Sequence, residues 1–173
     1  MRKFILSVGL IFVLFLFVGC TDNEITDNAE KELICILSVR CDTVLENIEK
    51  LDGEKVEIVP QDGIVFPEKE VVFYEGESVF DVLLREMKQN AIHLEFTDTP
   101  IYNSTYIEGI ANLYEFDCGE LSGWMYCVNG VFPNFGCSQY ELNDGDRVEW
   151  LYTCDLGRDI GKEHLAQNGK EDE

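Results

Sequence analysis

The stretch Ser122-Gly123-Trp124-Met125-Tyr126-Cys127-Val128-Asn129-Gly130-Val131-Phe132 decides how the rest of the chain is read. Asn129-Gly130 separates two runs of aromatic and β-branched residues. A two-residue type I′ turn needs φ > 0 at both central positions, which Asn and Gly tolerate. These residues therefore read as a β-hairpin over 123–132, in whose register Cys127 faces Phe132 and Ser122 faces Cys137. Trp124 and Tyr126 share one strand face, where they either fill a core or offer a flat contact surface. For Phe132 and Phe135, which flank Pro133-Asn134, both roles also stay open, and Tyr140 follows nearby.

Downstream, Leu142-Asn143-Asp144-Gly145-Asp146 forms a tight turn that feeds a last strand, Arg147 to Cys154. Val148, Trp150, Tyr152 and Cys154 fall on one face of that strand. Upstream, the spacing predicts one clear helix over 78–90. Ser78 is its N-cap with Asp81 as capping-box partner, Phe80, Leu83, Leu84 and Met87 form its core stripe, and Asn90 suits a left-handed C′ position. Ile92 to Phe96 alternates as a strand with His93 and Glu95 on the wet face, and residues 106–110 form another strand beyond a polar loop at 100–105. Leu33 to Cys41 is an apolar, β-branched first strand, and Asp42-Thr43 open a short helix that runs through Leu51. Two short strands are expected over 54–66 around Asp62-Gly63, held to sheet edges by Pro60 and Pro67, before a solid strand from Glu70 to Tyr74. Strands, one amphipathic helix and more strands make an α+β chain. Its expected fold is a β-grasp-like mixed sheet packed on the 78–90 helix, with first and last strands side by side.

The N-terminus is of another kind. Arg2 and Lys3 precede an apolar run over 4–18 that reaches about 22 Å as a helix, short of the ~30 Å hydrocarbon core of a bilayer. A charged n-region and a short h-region read as a signal peptide over 1–19. Phe17-Val18-Gly19-Cys20 before the polar Thr21-Asp22-Asn23-Glu24 resembles the lipobox of bacterial lipoproteins, which implies that Cys20 is lipidated and becomes the new N-terminus. Residues 20–31 then read as a tether, 32–156 as the domain, and 157–173 as a polar tail. The expected location is extracytoplasmic, anchored to the cell membrane through lipid.

The chain has 34 acidic and 13 basic side chains, a formal charge of −21, which excludes nucleic acid as a partner because phosphates would be repelled. Cleavage after residue 19 would make the balance two units more negative. Seven cysteines are present, so six remain once Cys20 carries lipid. There is no CxxC, and neither His93 nor His164 has ligand spacing to a cysteine, so no metal site is read and no catalytic thiol. The Asp144-Gly145-Asp146 turn lacks the twelve-residue run of oxygen ligands of an EF-hand. The acidic residues are scattered rather than convergent, so no enzyme is expected and no catalytic residue is assigned.

Glu75-Gly76-Glu77-Ser78-Val79-Phe80-Asp81-Val82-Leu83, Ser122 to Gly130, and Leu142 to Trp150 occur in that order. Together they resemble the DUF4430 domain family, which is similar to the C-terminal domain of transcobalamin and intrinsic factor. The resemblance spans roughly residues 33–156. It implies a β-grasp-type binding module without enzymatic activity, with a small planar ligand of corrinoid type as the cofactor-like candidate. The relatives enclose cobalamin between this domain and a separate helical barrel, which is not found in this sequence. Trp124, Tyr126, Phe132, Phe135 and Tyr140 are then the candidate ligand or partner contacts. The alternative is a cell-surface protein-interaction or adhesion domain with no small-molecule site. A β-grasp also makes the first and last strands neighbours, which implies a Cys41–Cys154 disulfide. The hairpin register adds Cys118–Cys137, and Cys35 and Cys127 are left as a third bridge or two buried thiols.

Overall fold

β1 (Glu32–Arg40), α1 (Asp42–Leu45), β2 (Ile64–Tyr74), α2 (Val79–Gln89), β3 (Leu94–Thr99), β4 (Ser104–Ile110), β5 (Leu113–Tyr114), β6 (Gly123–Val128) and β7 (Arg147–Thr153) follow one another along the chain. The computed structural model describes residues 31–101 and 103–161. The signal segment 1–19, Cys20, the tether to residue 30 and the chain beyond 161 lie outside the described residues. Four strands form one sheet in the order β2-β1-β7-β6, and three form a second in the order β3-β4-β5. β1 and β7 run parallel, while β1–β2 and β6–β7 are antiparallel. First and last strands are thus neighbours in a mixed sheet with one main helix, the α+β arrangement expected from the sequence.

The strand pattern in β1 explains its placement. Leu33, Cys35, Leu37 and Val39 are buried on one face, whereas on the other Ile34 and Arg40 are exposed, Ile36 is half-buried and Ser38 is buried. β2 is a sheet edge, where Pro67 is tolerated because no partner needs its missing N–H. The structure makes one long strand of 64–74 and a 3-10 turn at Gly53–Lys55, not two short strands over 54–66. Pro60 and the charged residues over 54–62 favour turns over a ladder.

The capping box of α2 is present: Asp81 N donates to Ser78 Oγ at 3.3 Å and Ser78 N to Asp81 Oδ2 at 2.9 Å. Such a cap contributes about 1 kcal/mol. The left-handed residue beyond the helix is Ala91 (φ 54), since Asn90 has φ −94. The buried face is Val79, Val82, Leu83, Glu86 and Met87, rotated from the expected stripe, with Phe80 and Leu84 only half-buried. The cause is covering on two sides. Phe80 meets Phe96 of β3 edge-on at 4.8 Å, while Glu86 is held by Lys69 of β2 at 3.5 Å.

The Asn-Gly turn forms as read, with φ 52 at Asn129 and 78 at Gly130. Val128 and Val131 exchange both backbone hydrogen bonds at 2.9 Å. The second arm of the hairpin ends there. β6 takes its ladder from β7, pairing Trp124 with Tyr152, Tyr126 with Trp150 and Val128 with Val148. On that edge Cys127 lies opposite Glu149, and on the other edge no pairing carries the hairpin register on to Phe132 or from Ser122 to Cys137. Pairing with β7 buries three large side chains on each strand, whereas Pro133 cannot donate to a ladder.

All six described cysteines are buried, and none is bridged to another. The parallel β1–β7 register sets Arg40 beside Leu151, so Cys41 comes level with Tyr152 and Cys154 lies two residues further on. Cys35 and Cys127 sit on strands separated by β7, about 10 Å apart, and on opposite faces of the sheet. Cys137 Sγ rests 3.5 Å from Thr105 O, while Cys118 Sγ is 3.5 Å from Asn47 O and 3.4 Å from Cys154 Sγ. Ordered structure also continues past residue 156. A 3-10 turn at Arg158–Ile160 brings the Asp159 carboxylate to Thr153 Oγ1 and to Cys154 N, the latter at 2.7 Å. Among the described residues no helix is long and apolar enough to cross a membrane.

Candidate functional site

β6 presents two kinds of group to the gap between the sheets. Val128 bonds Val131 on its outer side and Asn129 N donates to Arg147 O at 2.9 Å, which fixes the alternation along the strand. Odd-numbered residues of β6 turn their backbone toward β7. Trp124 and Tyr126 therefore turn their N–H and C=O outward, toward β4. Across the gap, Thr105 N donates to Ser138 Oγ at 3.0 Å and Thr105 O accepts from Cys137 Sγ. Those bonds tie the loop after the hairpin onto β4.

The seam between these two strand edges is a cleft of about 170 Å³. Trp124, Tyr126 and Phe132 line it with Trp150, Ile107 and Gly136. Gly136 is required by close approach: a Cβ there would come within 1.5 Å of Ser104 Oγ. The aromatics hold one another. Trp124 Nε1 donates to Leu113 O at 2.8 Å and Tyr126 OH to Phe135 O at 2.8 Å. Tyr126 packs against Trp150 at 5.5 Å, and Phe135 stacks on Tyr140 at 5.8 Å. Burial pushes the Tyr126 phenol well above its usual range, so it stays a neutral donor at physiological pH.

All five aromatics named from the sequence are thus in one cluster. Trp124 and Tyr126 are buried walls, Phe132 is half-buried at the mouth, and Phe135 and Tyr140 stand behind Tyr126. Sequence reasoning missed the opposite wall, Thr105 to Ile107, and Gly136. The alternation Thr105-Tyr106-Ile107-Glu108 was the available signal, and β4 buries Thr105 and Ile107 in keeping with it.

A second groove of about 520 Å³ lies on the other face of the sheet, lined by Arg40, Asp42, Glu149, Leu151 and Asp159. Its charges are already held: Arg40 by Asp42 at 2.8 Å, Glu149 by Arg147 at 3.8 Å, and Asp159 by Cys154 N at 2.7 Å. The inter-sheet cleft better matches the apolar wall with few polar groups that small ligands use. The carboxylates of the 144–146 turn are likewise committed to the fold. Asp144 accepts from Ile34 N, and Asp146 from Asn143 N and Asn129 Nδ2, at 2.8–2.9 Å. Among the described residues no three His, Cys, Asp or Glu side chains converge on a point that could hold a metal.

Residues 76–153 match the family model described as "Domain of unknown function (DUF4430)". The match begins at Gly76, so β1 and β2 precede it although β1 pairs with β7 inside it. No curated protein matches the chain. Among solved structures, the chain is similar to haptocorrin in complex with Cbi, with a TM-score of 0.53 at 16% identity over 73% of this chain and 26% of that one. It therefore spans about a quarter of the haptocorrin chain. A Ruminococcus gnavus ATCC 29149 protein described as a candidate metal-binding protein is similar at 16% identity, TM-score 0.41, over 70% of this chain and 96% of that one.

Proposed function

We propose that this chain, which carries the DUF4430 domain over residues 76–153, is a lipid-anchored, extracytoplasmic, non-enzymatic binding module whose inter-sheet cleft holds a flat, largely apolar group. The observation that carries this reading is the cleft of Trp124, Tyr126 and Phe132, open at one side and bounded by outward-turned backbone groups. A volume of about 170 Å³ is below the ~300–1,000 Å³ of pockets that enclose a whole small molecule. The cleft grips one edge or ring of a larger ligand and leaves the rest to solvent or to a second wall. A planar ligand of corrinoid type fits that description, and the similarity to haptocorrin in complex with Cbi supports it as the first class to test.

Titration calorimetry of the protein with cobinamide and with cobalamin tests the ligand. Saturable binding is expected, weakened at least ~10-fold by Phe132→Ala, the size of loss that follows removal of an aromatic anchor. Phe132 is half-buried at the mouth, so that variant should stay folded with only a modest fall in melting temperature. Absence of heat with both compounds would favour the protein-interaction reading, for which the exposed cross-strand pair Ile34 and Val72 on the open face of the sheet is the candidate patch.

Lipid attachment at Cys20 is tested separately. Cells expressing the chain and fed labelled palmitate should label the wild type and not Cys20→Ser, which should be uncleaved or released. An unlabelled wild type sinks the anchor. Two acyl chains, at ~0.8 kcal/mol per buried methylene, would hold even this acidic chain to an anionic surface.

A further inference from the structure

Among the described residues one pair of sulfur atoms is in contact. Cys118 Sγ lies 3.4 Å from Cys154 Sγ, across 36 residues of chain. Both ends are fixed by bonds that do not involve sulfur. Cys118 N donates to Ser122 Oγ at 3.1 Å, and Cys154 N to Asp159 Oδ2 at 2.7 Å. The loop carrying Cys118 is fastened to the end of β7 by Leu156 N to Leu121 O at 2.9 Å and by Tyr152 OH to Tyr114 O at 2.7 Å. A cleft of about 470 Å³, lined by Asn47, Lys50, Glu120 and both cysteines, opens onto the sulfurs. The separation is about 1.4 Å longer than a disulfide of ~2.05 Å, a gap that side-chain rotation can close.

We infer that Cys118 and Cys154 form a disulfide when the chain meets an extracytoplasmic disulfide oxidant. Cys154, the more exposed of the two, attacks a disulfide of the oxidant as its thiolate and forms a mixed disulfide. Cys118 then attacks the Cys154 sulfur and expels the oxidant's second thiolate. Two S–H bonds break and one S–S bond forms; two electrons pass to the oxidant's disulfide, which leaves as a dithiol with the two protons. Burial raises the Cys154 thiol to about 12 and moves Cys118 in the same direction. The reduced pair therefore gains little from ionising, which favours a bond that resists reduction and pins the fold over a labile switch. In this role it ties the end of β7 to the loop before β6, where Phe116, Leu121 and Leu156 are exposed.

This inference rests on the extracytoplasmic reading for its oxidant, and two preparations separate the two claims. Full-length protein from the cell envelope, and purified reduced chain held in a reduced/oxidised glutathione buffer, are alkylated and mapped without reduction. A peptide joining Cys118 to Cys154 is expected in both. Reduction should lower the melting temperature by about 10 °C, as for a closed loop of this size. Cys118→Ala, Cys154→Ala and the double variant should each lose that same shift and no more. Closure in glutathione with free thiols in the envelope sample upholds the pairing and overturns export. Free Cys118 and Cys154 in the glutathione sample, or Cys154 joined to Cys41 or Cys118 to Cys137, overturns the pairing itself.

Discussion

Replacing Trp150 by alanine is expected to lower stability by about 3–5 kcal/mol, a large part of the ~5–15 kcal/mol that holds a typical domain together. Trp150 is 2% exposed on β7, between Val39 of β1 and Tyr126 of β6. Its ring stands on the core face of the sheet, packed on Tyr126 at 5.5 Å, and the hydrogen-bonded backbone beneath it cannot rise to fill the hole that alanine leaves. Its indole Nε1 has no hydrogen-bond partner among the described residues. A buried donor left unsatisfied costs about 1–3 kcal/mol, so Trp150→Phe, which removes the donor and keeps most of the volume, should lose far less than alanine. Chemical denaturation of both variants reads the two terms. An alanine variant within 1 kcal/mol of wild type would show that Trp150 is not at the centre of the core. Equal losses for alanine and phenylalanine would show that volume does not decide the outcome.

Turn and cap chemistry was legible because it is local. Asn129-Gly130 and Ser78-Asp81 each specify a backbone geometry through their own side chains and φ preferences, and both formed as read. The choice of ladder partner was not legible. The alternation of Trp124, Tyr126 and Val128 does not say that β7 takes one edge of the strand with Val148, Trp150 and Tyr152, nor that the hairpin arm on the other edge ends at Val131. The Cys118–Cys137 expectation rests on a longer hairpin, and the hairpin's own pairing stops at the Val128–Val131 bridge. The same non-locality divides the candidate site. Trp124, Tyr126 and Phe132 were visible because they flank one turn, but Thr105 to Ile107 reach the cleft from another sheet. Periodicity places residues on a face and says nothing about which second face will meet it. The Cys41–Cys154 expectation rests on the neighbourhood of the first and last strands, which the β1–β7 ladder shows, and the register sets the two residues two positions apart, ~6.6 Å along the strand.

Gly63→Ala is expected to cost about 2–5 kcal/mol, from two separable terms. Gly63 has φ +70, and its ideal Cβ would stand 2.5 Å from Asp42 Cα and 2.7 Å from Asp42 N. Those are backbone atoms at the start of α1, so no rotamer change relieves the clash. The approach is imposed by hydrogen bonds on either side. Cys41 N donates to Gly63 O at 2.7 Å, and Gly63 N to Pro60 O at 2.9 Å. Moving Gly63 away breaks the bond that closes β1 into α1. Gly76 supplies the control, with φ +88 and nothing within 4 Å of its ideal Cβ. Gly76→Ala meets only the conformational cost of a left-handed alanine, about 1–2 kcal/mol. The difference between the two variants in urea denaturation measures the contact with Asp42 alone. If Gly63→Ala and Gly76→Ala destabilise equally, the junction of β1 and α1 does not pack against the turn that starts β2, and glycine is required at position 63 for its dihedral angle only.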